Sequence, residues 1–271
     1  MLISPRSGTG STGWGGGSVN AWRFLDAPAR LLDKVGVPIR VRGSGAPGPP
    51  DADTEALVRR HFASRSRPDH INLESMRTTL LLLKERPSRI VETGMAAWGT
   101  SSTLLFADYV ERFGGKLWSV DIRLQPIVKL RSSVSSRTAL TCGDSVRFLR
   151  RWVARHRGDC TVDLVYLDSF DLDPSDPFPA ARHGLAEFLA VRPALGPGSL
   201  LLIDDTPATP DHCPRVMREP AERFLRAEGM MPGKGMLVVQ HLEGVAEATK
   251  LLHGYQVLYR FDGGLTAAAR S

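Results

Sequence analysis

Three aspartates pose the chemical question of this chain. Asp168 ends an apolar run over 162–168, and Asp204 and Asp205 end another over 199–205. If the two runs are neighbouring strands, three carboxylates meet in one crevice, where their repulsion must be offset by a cation, a proton or a basic group. Hard oxygen ligands of this kind suit Mg²⁺, which keeps several waters and can accept substrate oxygens. The competing arrangement has Asp204 capping a turn and Asp168 facing a ligand with no metal. Acids also close the runs 117–121, at Asp121, and 138–144, at Asp144. A sixth acid, Glu92, stands within 89–102, where Thr93 and Gly94 lead through Gly99, Thr100 and Ser101 into a helical stretch. Glycines let a backbone turn sharply and let a ligand come close, and the helix start presents unpaired N–H groups. That is a nucleotide-type pocket, although a glycine turn after a strand does not by itself say which nucleotide it holds.

Positioning these groups requires strands at about 89–93, 117–121, 138–144, 162–168 and 199–205. Helical patterns lie over 101–113, 145–156 and 180–192 between them. Alternating strands and helices predict an α/β fold with a Rossmann-like, doubly wound, mostly parallel sheet. Acids at the carboxyl ends of its strands then face the crevice where such sheets bind ligands. Two helices, 53–63 and 72–85, precede the first strand. Residues 1–20 are rich in Gly and Ser, 21–35 mix apolar and charged residues around Pro28, and 43–50 read as a Gly-Pro linker. The expected division is therefore a flexible extension and linker over 1–50 and one domain over 51–271. Residues before the linker are expected to stand outside the main sheet. After Asp205, the Pro-rich 206–214 forms a loop, 219–228 a short helix, 236–240 and 255–261 two strands, and 244–252 a helix.

The ordered set Glu92-Thr-Gly94, Gly99-Thr-Ser, Asp121, Gly143-Asp144-Ser145, Asp168 and Asp204-Asp205 resembles the class I S-adenosylmethionine-dependent methyltransferases. The turn is similar to the E-T-G-x-x-x-G-G form of small-molecule O-methyltransferases, the macrocin-type and cephalosporin-hydroxylase-like branch, with Trp98 in place of the first glycine of the pair. The resemblance implies S-adenosylmethionine as cofactor, a hydroxylated small molecule or sugar as substrate, and a C-terminal antiparallel strand pair closing the sheet. It places Glu92, Thr93, Gly94, Gly99, Thr100 and Ser101 on the methionine and ribose side, and Asp121 on the ribose hydroxyls. Asp144 and Ser145 would stand by the adenine, and Asp168 beside the cofactor. Metal-dependent members carry an acid after the fourth strand and an acid pair after the fifth, which here are Asp168 and Asp204-Asp205. Those members often place Lys or His three positions beyond the first metal acid to take the substrate proton. This chain has Asp171 there, which can act as a base only if burial or neighbouring carboxylates raise its pKa. His183 and His212 are the alternatives.

Composition narrows the remaining classes. No apolar run approaches the roughly 20 residues needed to span a bilayer. No secretory signal pattern opens the chain, so cytoplasmic residence without a membrane partner is the expectation. Cys142, Cys160 and Cys213 show no CxxC spacing, which supports neither a disulfide framework nor a zinc knuckle. The formal charge of +6 is concentrated partly in 147–157. We read this stretch as a solvated helix face with Phe148, Leu149 and Trp152 packed inward, rather than as a nucleic-acid footprint. The segment 21–35 is compatible with packing on the domain, over the substrate or on a second copy in a homo-oligomer. An NAD-type oxidoreductase shares the fold start but calls for G-x-G-x-x-G, and no P-loop motif occurs at the turn. A non-catalytic adenosyl-binding scaffold is the other alternative.

Overall fold

The computed structural model describes residues 39–42, 53–95, 99–156 and 161–264. Its strands are β1 (Ile39–Arg42), β2 (Ser88–Thr93), β3 (Gly115–Asp121), β4 (Thr138–Cys142), β5 (Leu164–Leu167), β6 (Leu200–Ile203), β7 (Ala248–His253) and β8 (Val257–Phe261). They form one sheet in the order β1-β4-β3-β2-β5-β6-β8-β7. The inner strands from β4 to β6 are parallel, and β1, β8 and β7 are antiparallel to their neighbours. From β2 the chain winds outward through β3 to β4, then returns to β5 on the other side of β2. The strand order therefore reverses between β2 and β5, which is where open sheets of this kind bind ligands.

The helices are α1 (Thr54–Ser64), α2 (Leu73–Leu82), α3 (Ser102–Phe113), α4 (Leu124–Leu130), α5 (Ser145–Arg155), α6 (Phe178–Val191), α7 (Arg215–Glu228) and α8 (Met236–Leu242). Successive strand residues point to opposite faces, and the core divides accordingly. Ile90, Leu164, Tyr166, Leu200 and Leu202 pack with Leu57 of α1, Met76 of α2, Leu105 of α3 and Ile127 of α4. Val91, Val165, Leu167, Leu201 and Ile203 pack with Leu149 of α5, Phe188 of α6 and Val238 of α8. Asp53 caps α1 by accepting from Ala56 N at 2.7 Å, which fixes the helix start where the sequence places it. Helix α5 buries Leu149 and Trp152 and packs Phe148 against the same core, leaving Arg147, Arg150 and Arg155 outward as expected.

Three expectations are corrected. Ile39–Arg42 precede the Gly-Pro linker yet join the main sheet, pairing from Ile39↔Cys142 to Arg42↔Ala139. Strand β4 would otherwise be the outer parallel strand with an open ladder, and this short stretch of alternating residues covers that edge. Residues 236–240, expected as a strand, lie in helix α8. Residues 248–253, expected within a helix, form β7. The antiparallel pair that closes the sheet does form, but from β7 and β8, joined by a tight loop in which Gly254 N donates to Gln256 O at 3.0 Å. With β7 and β6 on its two sides, β8 has no edge left for 236–240, and that apolar run buries Met236, Val238 and Leu242 in the core as a helix instead. The segments 1–38 and 43–52, and Cys160, lie outside the described residues.

Candidate functional site

The carboxyl ends of β2 to β6 form one continuous edge, and the structure links the acids expected there. At the end of β2, Gly94 has φ +84, and a Cβ on it would stand 2.4 Å from the Asp168 carbonyl oxygen. Only glycine lets the two strand ends approach so closely. Thr93 is fully buried and its carbonyl accepts from Asp168 N at 3.0 Å, so it locks β2 to β5 rather than facing a ligand. Across the other flank, Gly94 N donates to Val120 O at 2.8 Å and Met95 N to Asp121 Oδ2 at 3.0 Å. The turn that follows is held from behind by α1 and the loop leading to α2. His61 Nε2 bonds Thr100 O at 2.7 Å, Asn72 Nδ2 donates to Thr100 Oγ1 at 3.0 Å, Ser66 Oγ donates to Gly99 O, and Ser101 Oγ reaches Arg65 O at 3.3 Å. Burial, with the nearby arginines, lowers the His61 pKa to about 4, so the ring is neutral at pH 7. Ala96, Ala97 and Trp98 lie outside the described residues.

Glu92 faces inward. It is fully buried, with one carboxylate oxygen accepting from Ser102 Oγ at 2.6 Å and the other from Ser119 Oγ at 2.5 Å. It thus ties α3 to β2 and β3. Burial pushes its pKa up to about 7, against the opposing pull of the two serine hydroxyls. As it stands the carboxylate offers a ligand nothing, which corrects the expectation of direct cofactor contact. Asp121 ends β3 at this edge, with its side chain 4% exposed beneath Arg123. Its Oδ1 accepts from Arg123 N at 2.7 Å and Arg123 Nε at 3.1 Å, and Arg123 Nη2 reaches Oδ2 at 3.1 Å. Asp144 caps α5, accepting from Arg147 N at 2.7 Å. Ser145 Oγ lies 2.9 Å from His183 Nε2 and 3.5 Å from Ser169 Oγ, and Ser169 in turn donates to the buried Glu187. Burial disfavours the charged His183 ring, but the hydrogen bond and charge of Glu187, with Asp144, leave its pKa raised overall. A separate cavity of about 460 Å³ runs along α5 between Lys116, Trp118, Arg151 and His156, and meets this edge only at Gly143 and Asp144.

At the ends of β5 and β6 the three aspartates converge as expected, in a setting the sequence did not reveal. Asp204 Oδ2 accepts from Tyr166 OH at 2.9 Å, and Oδ1 from Gln256 Nε2 and its neighbour Asp205 N, each at 2.9 Å. Asn72 Nδ2 approaches both oxygens, at 3.3 and 3.4 Å. Asp205 has φ +43, and its Oδ1 accepts from Tyr255 OH. Between Asp168 and Asp205 stands Lys234, with Nζ 2.7 Å from Asp168 Oδ1 and 2.9 Å from Asp205 Oδ2. Burial opposes the lysine charge, but the aspartates outweigh it and hold its pKa above the ordinary lysine range. Burial and mutual repulsion raise Asp168 and Asp204, because one ammonium does not neutralise three carboxylates. Each of the six carboxylate oxygens lies within reach of a protein donor, and the oxygen whose nearest donor is furthest is Asp168 Oδ2, 3.3 Å from Tyr166 OH. Among the described residues no group of three His, Cys, Asp or Glu side chains is disposed to hold a metal ion. With Lys234 in place, Asp168, Asp204 and Asp205 do not fit a divalent ion.

Asp171 is corrected as the base. It is exposed, without the burial that a carboxylate base requires. His212 bonds Thr209 Oγ1 at 2.9 Å and is likewise exposed. His70, not singled out in the sequence, lies against Gly99, accepts from Asn72 N at Nδ1 (3.2 Å), and so carries its proton on Nε2 beside the turn. Lys234, Tyr255, Gln256 and Asn72 were also missed. Only the Gly-Lys-Gly stretch at 233–235 carried any local mark, namely a lysine between two glycines.

No protein-family model matches the chain, and no curated protein matches its sequence. Among solved structures it is similar to the MycE methyltransferase of the mycinamycin biosynthetic pathway, in complex with Mg, SAH and mycinamycin VI. The TM-score is 0.51 and the identity 17%, covering 82% of this chain and 57% of that one. This chain therefore spans little more than half of MycE. An O-methyltransferase from Bacillus cereus in complex with SAH matches at TM-score 0.45 and 13% identity, over 88% of this chain and 99% of that one. The O-methyltransferase TomG from Streptomyces achromogenes, in complex with SAM, matches at 0.45 and 14%, over 90% and 99%. The likeness to MycE is one of fold: the chain adopts the Rossmann-like methyltransferase fold. Among the described residues no helix is long and apolar enough to cross a membrane.

Proposed function

We propose that this chain is an S-adenosylmethionine-dependent methyltransferase that methylates an oxygen of a small hydroxylated metabolite or sugar. The observation that carries the reading is Asp121. It ends β3 beside the point where strand order reverses, and Met95 N of the glycine turn fixes its Oδ2 at 3.0 Å. A carboxylate there can accept from both hydroxyls of a ribose, the role an acid plays in dinucleotide folds. Gly94, Gly99, Thr100 and Ser101 are then assigned to the methionine and ribose side. Ser145, beside the Asp144 cap, faces the adenine end.

Methyl transfer forms an O–CH₃ bond as the S–CH₃ bond breaks, the sulfonium leaving as the thioether and the substrate hydroxyl passing its proton to the carboxylate it is hydrogen-bonded to. Holding that hydroxyl in line with the sulfonium removes much of the entropic barrier. Asp205 has the most exposed side chain of the three aspartates, at 22% against 4% for Asp168, so it is the one placed to accept a hydrogen bond from a substrate hydroxyl. The test is incubation with S-adenosylmethionine and a panel of sugars, polyols, phenols and amines, read by mass spectrometry. An O-methylated product that Asp205→Asn strongly reduces supports the reading. Turnover confined to nitrogen acceptors would overturn the oxygen assignment.

A further inference from the structure

Lys234 is built into the acid cluster more firmly than an incidental surface pair. Its side chain is 7% exposed, and Nζ also approaches the Asp168 carbonyl oxygen at 3.4 Å, so the three ammonium donors all have acceptors. Its backbone is fixed as well. Lys234 N donates to Asp205 O and Gly235 N to Thr206 Oγ1, both at 2.9 Å. The flanking chain leaves no room for side chains: a Cβ on Gly233 would stand 2.6 Å from Asp205 O, and one on Gly184 of α6 would stand 2.5 Å from Lys234 O. A divalent ion needs several oxygen ligands at about 2.0–2.1 Å and retained waters. To enter here it would have to break both lysine ion pairs and displace donors from Asp204 while bringing a second cation beside the first.

We propose that Lys234 is the resident cation of this crevice, taking the charge-compensating place a divalent metal would fill, so that the three aspartates are held ready for substrate without a metal. Lys234 has no donor left for substrate and is a positioning residue, acting through Asp168 and Asp205. Asp204 is held separately by the neutral donors Tyr166, Gln256 and Asn72. The catalytic meaning rests on the methyltransferase reading, whereas the occupancy of the site by lysine does not.

The experiment is titration of the full chain with Mn²⁺, followed by electron paramagnetic resonance of the free ion and by melting temperature. Wild type, Lys234→Met, Lys234→Arg and Asp204→Asn are compared, with S-adenosylhomocysteine binding measured on the same samples. Wild type should bind no Mn²⁺ at the crevice and show no change in melting temperature. Lys234→Met should gain one site at least roughly tenfold tighter than any wild-type binding and be stabilised by the ion. Lys234→Arg should behave as wild type, which keeps the test decisive if the methionine variant does not fold. A wild-type Mn²⁺ site that Asp204→Asn removes, or a folded Lys234→Met protein that takes up no more Mn²⁺ than wild type, would overturn the proposal. Loss of the methyltransferase reading would appear separately, as failure of every sample to bind S-adenosylhomocysteine.

Discussion

The two ends of the crevice hold their acids in opposite ways. At the end formed by β3 and β4, among the described residues, the only side chain on either carboxylate comes from close by in the chain: Asp121 is held by Arg123 and by the Met95 backbone, and Asp144 by the backbone of Arg147. Where β5 and β6 end, the partners come from far away: Asn72 precedes α2, Lys234 precedes α8, and Tyr255 and Gln256 enter β8. The first arrangement leaves an acid that a ligand can take over by displacing a single side chain, since the Arg123 side chain is 38% exposed and can return to water. In the second, the acids are cross-braced and contribute to the stability of the fold. One end is therefore read as a binding surface and the other as a preorganised wall.

Substitutions should separate the two ends, and the largest effect is expected at the wall. Asp204→Ala removes the charged acceptor of three buried donors, on Tyr166, Gln256 and Asn72, each such hydrogen bond being worth about 1.5–3 kcal/mol. Urea unfolding should accordingly show a loss of several kcal/mol. A loss below about 1 kcal/mol would mean that the bracing is not energetic.

Glu92 tests the seam behind the turn. Its pKa is raised from 4.5 to about 7 in the folded chain, so the stability it contributes is present below pH 4.5 and is lost as pH rises through about 7. Relative to Glu92→Gln, wild type should lose about 3 kcal/mol between pH 4 and pH 8. Parallel stability curves for the two proteins would place Glu92 in contact with water or ligand.

At the binding end, Asp121→Ala leaves Met95 N without its buried acceptor and should cost about 1–3 kcal/mol of stability, less than at the wall, while weakening S-adenosylhomocysteine binding by about 1.5–3 kcal/mol, the range for a hydrogen bond to a charged group. A stability loss as large as that at the wall, with unchanged affinity, would erase the contrast between the two ends. The smallest effect is that of Asp144→Ala, which removes an N-cap and should cost about 1 kcal/mol of stability.

The same contrast explains what the sequence could reveal. Strand-end acids, the helices between them and the capping aspartates are local patterns. The five parallel strands, α1, α3, α5 and the convergence of Asp168, Asp204 and Asp205 were therefore legible. The charge on those acids calls for a cation, a proton or a basic group, but the sequence does not show which residue supplies it, because Lys234 reaches them only once the chain after β6 folds back. The exchange of strand and helix at 236–253 has a similar origin. Short apolar runs fit either element, and the tertiary question of which edge β8 leaves open decided between them. Glu92 was read as a ligand contact because its place at the turn is local information, whereas Ser102 and Ser119 behind it belong to other elements.

Isothermal titration calorimetry of the wild-type chain with S-adenosylhomocysteine and, separately, with NAD decides which nucleotide the crevice takes. One site for S-adenosylhomocysteine is expected, weakened by Asp121→Ala and indifferent to chelator, with no heat from NAD. Saturable NAD binding with no response to the adenosyl compound would contradict the methyltransferase reading.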